Sequence, residues 1–156
     1  MGKNDTSGLE RFLKAQELDY EAALAEIKAG HKRSHWIWYI FPQIQGLGYS
    51  EISRFYAIKD KEEAQGYMEH PVLAARLVEI SEVILQLPSK DSGDVMGFPD
   101  DMKLKSSMTL FSMVSDNPVF QKVLDKYFHG EKDKLTVEAL SKESDYGYSA
   151  NESART

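Results

Sequence analysis

Lys103, Ser106 and Ser107 stand three and four residues apart, so on a helix the lysine ammonium is within reach of either hydroxyl. A lysine of lowered pKa can activate a serine, but the order here reverses the Ser-x-x-Lys pattern. Small residues packing beside a solvated lysine are the stronger reading, and the hydroxyl pair remains a candidate ligand contact. A second cluster, His31-Lys-Arg-Ser-His35, is basic in an otherwise acidic chain. Lys32 and Arg33 fall just before an expected helix start at Ser34, where free backbone N–H groups favour an anion such as phosphate. A solvated basic turn is the competing reading. His35 is expected in the first turn of that helix, offering a directed hydrogen bond. His31 and His35 are four apart, yet the expected cap Ser34 lies between them and no third ligand is evident, so no metal site is expected. No cofactor is expected either.

Between these clusters, Gly46-Leu-Gly48 is too short for a dinucleotide fingerprint and reads as a tight turn. It follows Gln43, with Trp38 nearby in sequence as a ring on which a planar group could stack. His70, Asp94, Asp100 and Asp101 read as cap and loop residues.

The elements that must position these residues are helical. Trp36 to Phe41 is an unbroken apolar run, too short to span a bilayer. Its i,i+4 pairs predict a helix capped by Ser34 and stopped by Pro42. Upstream, a short helix is expected from about Ser7, and a second, capped by Asp19, carries Tyr20, Ala23, Leu24 and Ile27 to Gly30. Downstream, short helices are expected over 50–58 and, capped by Asp60, to Glu69. His70-Pro71 then starts a helix whose seam is Leu73, Leu77, Ile80, Ile84 and Leu87. Residues 89–101 read as a loop. Helices resume after Asp100, after Asn117-Pro118, and after Asp133 to about Leu140. The fold class is therefore all-α: one compact domain over 7–142 with roughly seven or eight helices, a flexible start at 1–6 and a disordered tail at 143–156.

Composition bounds the function. The chain has 156 residues, 42% hydrophobic and 28% charged, as expected of a globular domain. A net charge of −6 gives no support to a broad face for duplex nucleic acid. There are no cysteines, hence no disulfide framework and no thiol nucleophile. With no apolar signal core at the start and no window long enough to cross a bilayer, no membrane association and a cytoplasmic location are expected.

Ser34-His-Trp-Ile-Trp-Tyr-Ile-Phe-Pro-Gln43, Gly46-Leu-Gly48, Tyr56-Ala-Ile58, His70-Pro71 and Lys103-Leu-Lys-Ser-Ser-Met-Thr-Leu-Phe111 together resemble an uncharacterised bacterial family, domain of unknown function 1810. The resemblance covers about residues 9–140 and implies a compact, mostly helical domain; it implies no reaction. Some members carry the label calpastatin, which would imply a protease inhibitor. That label is at odds with this chain, which has no internal repeat and has the periodic apolar faces of a packed domain.

The functional expectation is a domain that binds a small anionic ligand, a nucleotide or phosphorylated metabolite, with or without turnover. Its site residues are Lys32, Arg33, His35, Trp38, Gln43, Gly46, Gly48, Lys103, Ser106 and Ser107. The alternative is a protein-interaction module in which the aromatic 34–50 segment forms an exposed groove for a protein partner.

Overall fold

The computed structural model describes residues 8–142. These form helices α1 (Glu10–Lys28), α2 (Ile37–Ile40), α3 (Glu51–Tyr56), α4 (Lys61–Glu69), α5 (Pro71–Gln86), α6 (Ser92–Met96), α7 (Asp100–Val114) and α8 (Val119–Phe128). A ninth, α9, spans 134–142 at the end of the described residues. The flexible start and disordered tail expected at 1–6 and 143–156 lie outside the described residues.

Two long helices, α5 and α7, organise the packing. Helix α5 lies against α8, α1 and α4, while α7 lies against α8, α6, α4 and α2. The expected seam is in the core, with Leu73, Leu77, Ile80 and Ile84 all buried. Aromatic rings link the layers: Phe12 meets Tyr67 edge-on at 5.3 Å, Tyr67 meets Phe111 at 5.3 Å, and Phe111 meets Phe120 at 5.9 Å. Such tilted and edge-to-face pairs add to the burial of the rings themselves.

Local caps form where the sequence places them. The Asp60 carboxylate accepts from Glu63 N–H, and His70 Nδ1 accepts from Val72 and Leu73 N–H at the start of α5 with Pro71 at its first position. Asn117 Oδ1 takes Val119 N–H, and Asp133 Oδ2 takes both the N–H and the hydroxyl of Thr136.

Three expectations are corrected. The two helices expected before Gly30 are one, because Asp19 does not cap. Gln16 sits on the buried face between Phe12 and Tyr20, and its amide is satisfied there: Nε2 donates to the Tyr39 carbonyl at 2.8 Å and to Tyr67 Oη at 3.0 Å, and Oε1 accepts from Arg76 Nη1 at 3.3 Å. A polar residue on the inner face broke the apolar period without breaking the helix. Asp19 instead accepts the Tyr39 hydroxyl from mid-helix. Second, the loop at 89–101 contains α6, started by Asp91, whose side chain accepts from Gly93 and Asp94 N–H.

The third correction concerns α2. It is a single turn whose first residue follows Trp36, and Ser34 does not cap it. The acceptor is remote: the Glu26 carboxylate on α1 takes Arg33 N–H at 2.7 Å, Ser34 N–H at 2.9 Å, the Ser34 hydroxyl at 2.6 Å and Trp36 Nε1–H at 2.9 Å. Trp36, Ile37, Tyr39, Ile40 and Phe41 are then buried, so most of the aromatic segment is core and not an exposed groove.

Candidate functional site

Beyond Pro42 the chain runs in extended form and pairs with the segment leaving α3. Ile58 N–H donates to the Gln43 carbonyl and Gln45 N–H to the Ile58 carbonyl, both at 2.8 Å, in a parallel bridge of Ile44 with Ile58. Gly46 turns the loop at φ +99°, a backbone region that side chains rarely adopt. Gly48 is needed for a different reason. A Cβ there would meet Cβ and Oγ of Ser53 at 2.7 Å, so the loop lies directly on the first turn of α3.

Between this loop, α3, the first half of α7 and the start of α9 lies a cleft of about 770 Å³, within the range of small-molecule sites. Six of the residues singled out in the sequence line it: Trp38, Gln43, Gly46, Gly48, Lys103 and Ser106. Segments about 70 residues apart therefore meet in one cavity. Lys103 Nζ lies 5.2 Å from the centre of the Trp38 ring and 3.4 Å from Asp100 Oδ1. The Ser106 hydroxyl donates to the Met102 carbonyl at 3.2 Å, and among the described residues no hydrogen bond joins Lys103 to either serine.

Lys32, Arg33, His35 and Ser107 do not line the cleft. Lys32 is drawn inward: its ammonium pairs with Asp100 Oδ2 at 2.7 Å, meets the Ser34 carbonyl and lies 4.8 Å from the Trp36 ring. The N–H groups of Arg33 and Ser34 are closed by Glu26. Burial raises that carboxyl's pKa, but hydrogen bonds from the Ser34 hydroxyl, the Arg33 and Ser34 amides and the Trp36 indole outweigh it and hold it at about 2. The anion expected at this helix start is thus the chain's own glutamate. His35 is exposed on the surface, with its carbonyl accepting from the Tyr39 hydroxyl at 3.3 Å. Ser107 points into the core, fully buried, and its hydroxyl has no protein partner among the described residues. No group of three or more His, Asp or Glu residues suited to a metal occurs among the described residues.

The cleft also holds residues that the sequence did not single out. Arg54, exposed on α3, lines it, and among the described residues its guanidinium meets no carboxylate and no carbonyl. Tyr56 lines it too, fixed by Tyr39 at 4.9 Å and by Phe55 at 4.8 Å between ring centroids. Asp133 is both the cap of α9 and a carboxylate in the cleft wall. Nothing local marks Arg54, since what distinguishes it is its place in the cleft wall, which only the fold sets.

An all-helical domain with an aromatic, cation-bearing cleft is the class of protein these features define. The model of the family described as "Protein of unknown function (DUF1810)" matches residues 6–140, and the chain belongs to that family. Its fold is similar to that of the conserved hypothetical protein Rv1873 from Mycobacterium tuberculosis, known from a crystal structure. The two are 42% identical with a TM-score of 0.85, and the match covers 88% of this chain and 99% of that one. No curated protein matches the chain. Among the described residues, no helix is long and apolar enough to cross a membrane.

Proposed function

We propose that this protein binds a small anionic ligand, a nucleotide or phosphorylated metabolite of the cytoplasm, in the cleft between the Gln43–Tyr49 loop, α3 and α7. The observation that carries this reading is Arg54, a permanently charged group with five donors that lines a concave site and meets no carboxylate or carbonyl among the described residues. Lys103 lines the same cleft, and Trp38 and Tyr56 offer ring faces for the rest of the ligand. A guanidinium suits phosphate because its fork of donors meets two oxygens at once.

The test is a thermal-shift screen of nucleotides and sugar phosphates on the full chain, repeated on Arg54→Ala. A ligand present at about 100 times its Kd should stabilise the native state by about 2.7 kcal/mol. The reading fails if no phosphorylated compound raises Tm, or if Arg54→Ala responds as the parent does.

A second reading, a groove for a protein partner, draws on the cleft's rim. Tyr49 is 81% and Leu135 59% exposed among the residues that line it, and exposed apolar side chains grouped on one face mark partner sites. Replacing both with serine should leave small-ligand shifts intact under the first reading, and should abolish binding of a partner under the second.

A further inference from the structure

The charges around the cleft set how much anion it can hold. Resting on the ligand-binding reading above, we propose that the ligand is a planar ring system carrying a single phosphomonoester, with a nucleoside monophosphate as the prototype, and not a di- or triphosphate.

Asp100 serves two lysines unequally. It lies 2.7 Å from Lys32, whose side chain is 5% exposed, and 3.4 Å from Lys103, whose side chain is 28% exposed. Lys32 alone is enough to neutralise Asp100, so Lys103 is free to turn from it toward a ligand without leaving a carboxylate unpaired. The cleft then offers two cations, Arg54 and Lys103. A phosphomonoester carries a charge of about −1.5 to −2 near pH 7, which these two groups match.

Each added phosphate brings further negative charge, but among the described residues the only other side chain lining the cleft that carries a charge near neutral pH is a carboxylate, Asp133. A second phosphate would be desolvated without a counter-charge, which is unfavourable. The chain's net charge of −6 adds a weak general repulsion. The ring belongs on the Trp38 side, where Lys103 already lies over the indole face and would bridge ring and phosphate when it moves.

Isothermal titration calorimetry on the full chain, in buffer free of divalent cations, tests this with AMP, GMP, CMP and UMP, each beside its nucleoside, diphosphate and triphosphate. At least one nucleoside monophosphate should bind about tenfold or more tighter than its nucleoside, and its di- and triphosphates should bind no tighter. Affinity that climbs with each phosphate overturns the monophosphate assignment while leaving the anion-binding reading standing. Absence of binding by every one of these compounds, with the chain shown to be folded, overturns the monophosphate assignment, and the anion-binding reading falls with it only if the sugar phosphates of the thermal-shift screen fail as well. Asp133→Asn provides a second handle, because asparagine also caps helices well. It should improve triphosphate binding more than monophosphate binding; an equal effect on both would show that Asp133 plays no part in the discrimination.

Discussion

Two places in this molecule concentrate positive charge, and they differ in what meets it. In the turn before α2, Lys32 is matched by Asp100 and the backbone donors of Arg33 and Ser34 by Glu26, while the Arg33 guanidinium points to the exposed surface and lines no part of the cleft. In the cleft, the Arg54 guanidinium meets no carboxylate or carbonyl among the described residues, and Lys103 has the longer contact with an already paired carboxylate and the face of Trp38. The turn is the richer in sequence, with two cations and two histidines in five residues. The cleft is the richer in concave surface. A run of like charges reports composition, whereas a binding site needs charge that the fold leaves unanswered.

The two tryptophans extend the contrast and give its sharpest test. Trp36, fully buried and tied to Glu26, belongs to the closed region; Trp38, partly buried, belongs to the cleft. Trp36→Ala should cost about 3–5 kcal/mol, read as a lower midpoint in urea unfolding, while Trp38→Ala should cost less than half as much and weaken ligand binding. Equal losses of stability would erase the distinction.

Glu26→Gln should come next, at about 1–3 kcal/mol, since it keeps the shape but loses charge-assisted acceptance of backbone and indole donors. The sign of its pH dependence follows from the direction of the shift. The folded pKa, about 2, lies below the ordinary 4.5, so this stabilisation is complete above about pH 4.5 and is lost as pH falls toward 2. Between those values the parent should lose more stability than Glu26→Gln does. Glu63, also lowered because its bonds to Arg11 and the Lys59 amide outweigh its burial, leaves part of the acid sensitivity in the variant.

Gly48→Ala should cost about 1–3 kcal/mol through the clash with Ser53, and should distort the loop wall of the cleft as well. The smallest effects on stability are those of the exposed arginines. Arg54→Ala and Arg33→Ala should each stay within about 0.5 kcal/mol of the parent. Only Arg54→Ala should lower affinity for a phosphorylated ligand, by about 10- to 100-fold for a lost charge-assisted contact. If Arg33→Ala lowers it equally, the ligand reaches the turn and the comparison between the two regions collapses.

Features resting on short-range physics were legible in the sequence. The seam of α5 and the caps at Asp60, His70, Asn117 and Asp133 each depend on groups a few residues apart. What escaped depends on distant partners. Asp19 looked like a cap because nothing nearby shows that α1 runs on through a buried Gln16, whose carbonyl, hydroxyl and guanidinium partners come from Tyr39, Tyr67 and Arg76. Ser34 looked like a cap because nothing in its neighbourhood announces Glu26. Of the site, the loop and the Lys103 segment could be read from their residue types, whereas Arg54 acquires meaning only when its surroundings are known.

The Ile44–Ile58 bridge makes the intervening chain a closed ring. Both the glycine turn and α3, with Arg54 and Tyr56, hang on that ring, whose closing residues Ile44 and Ile58 are anchored in the core. Lengthening such a ring changes its closure entropy only slowly, so an insertion between residues 46 and 50 would widen the cleft at little thermodynamic cost and leave the packed interior untouched. Homologous chains are therefore free to diverge in the width of this cleft by the length of the ring alone, a route by which one scaffold can be reshaped at its surface without relearning how to fold.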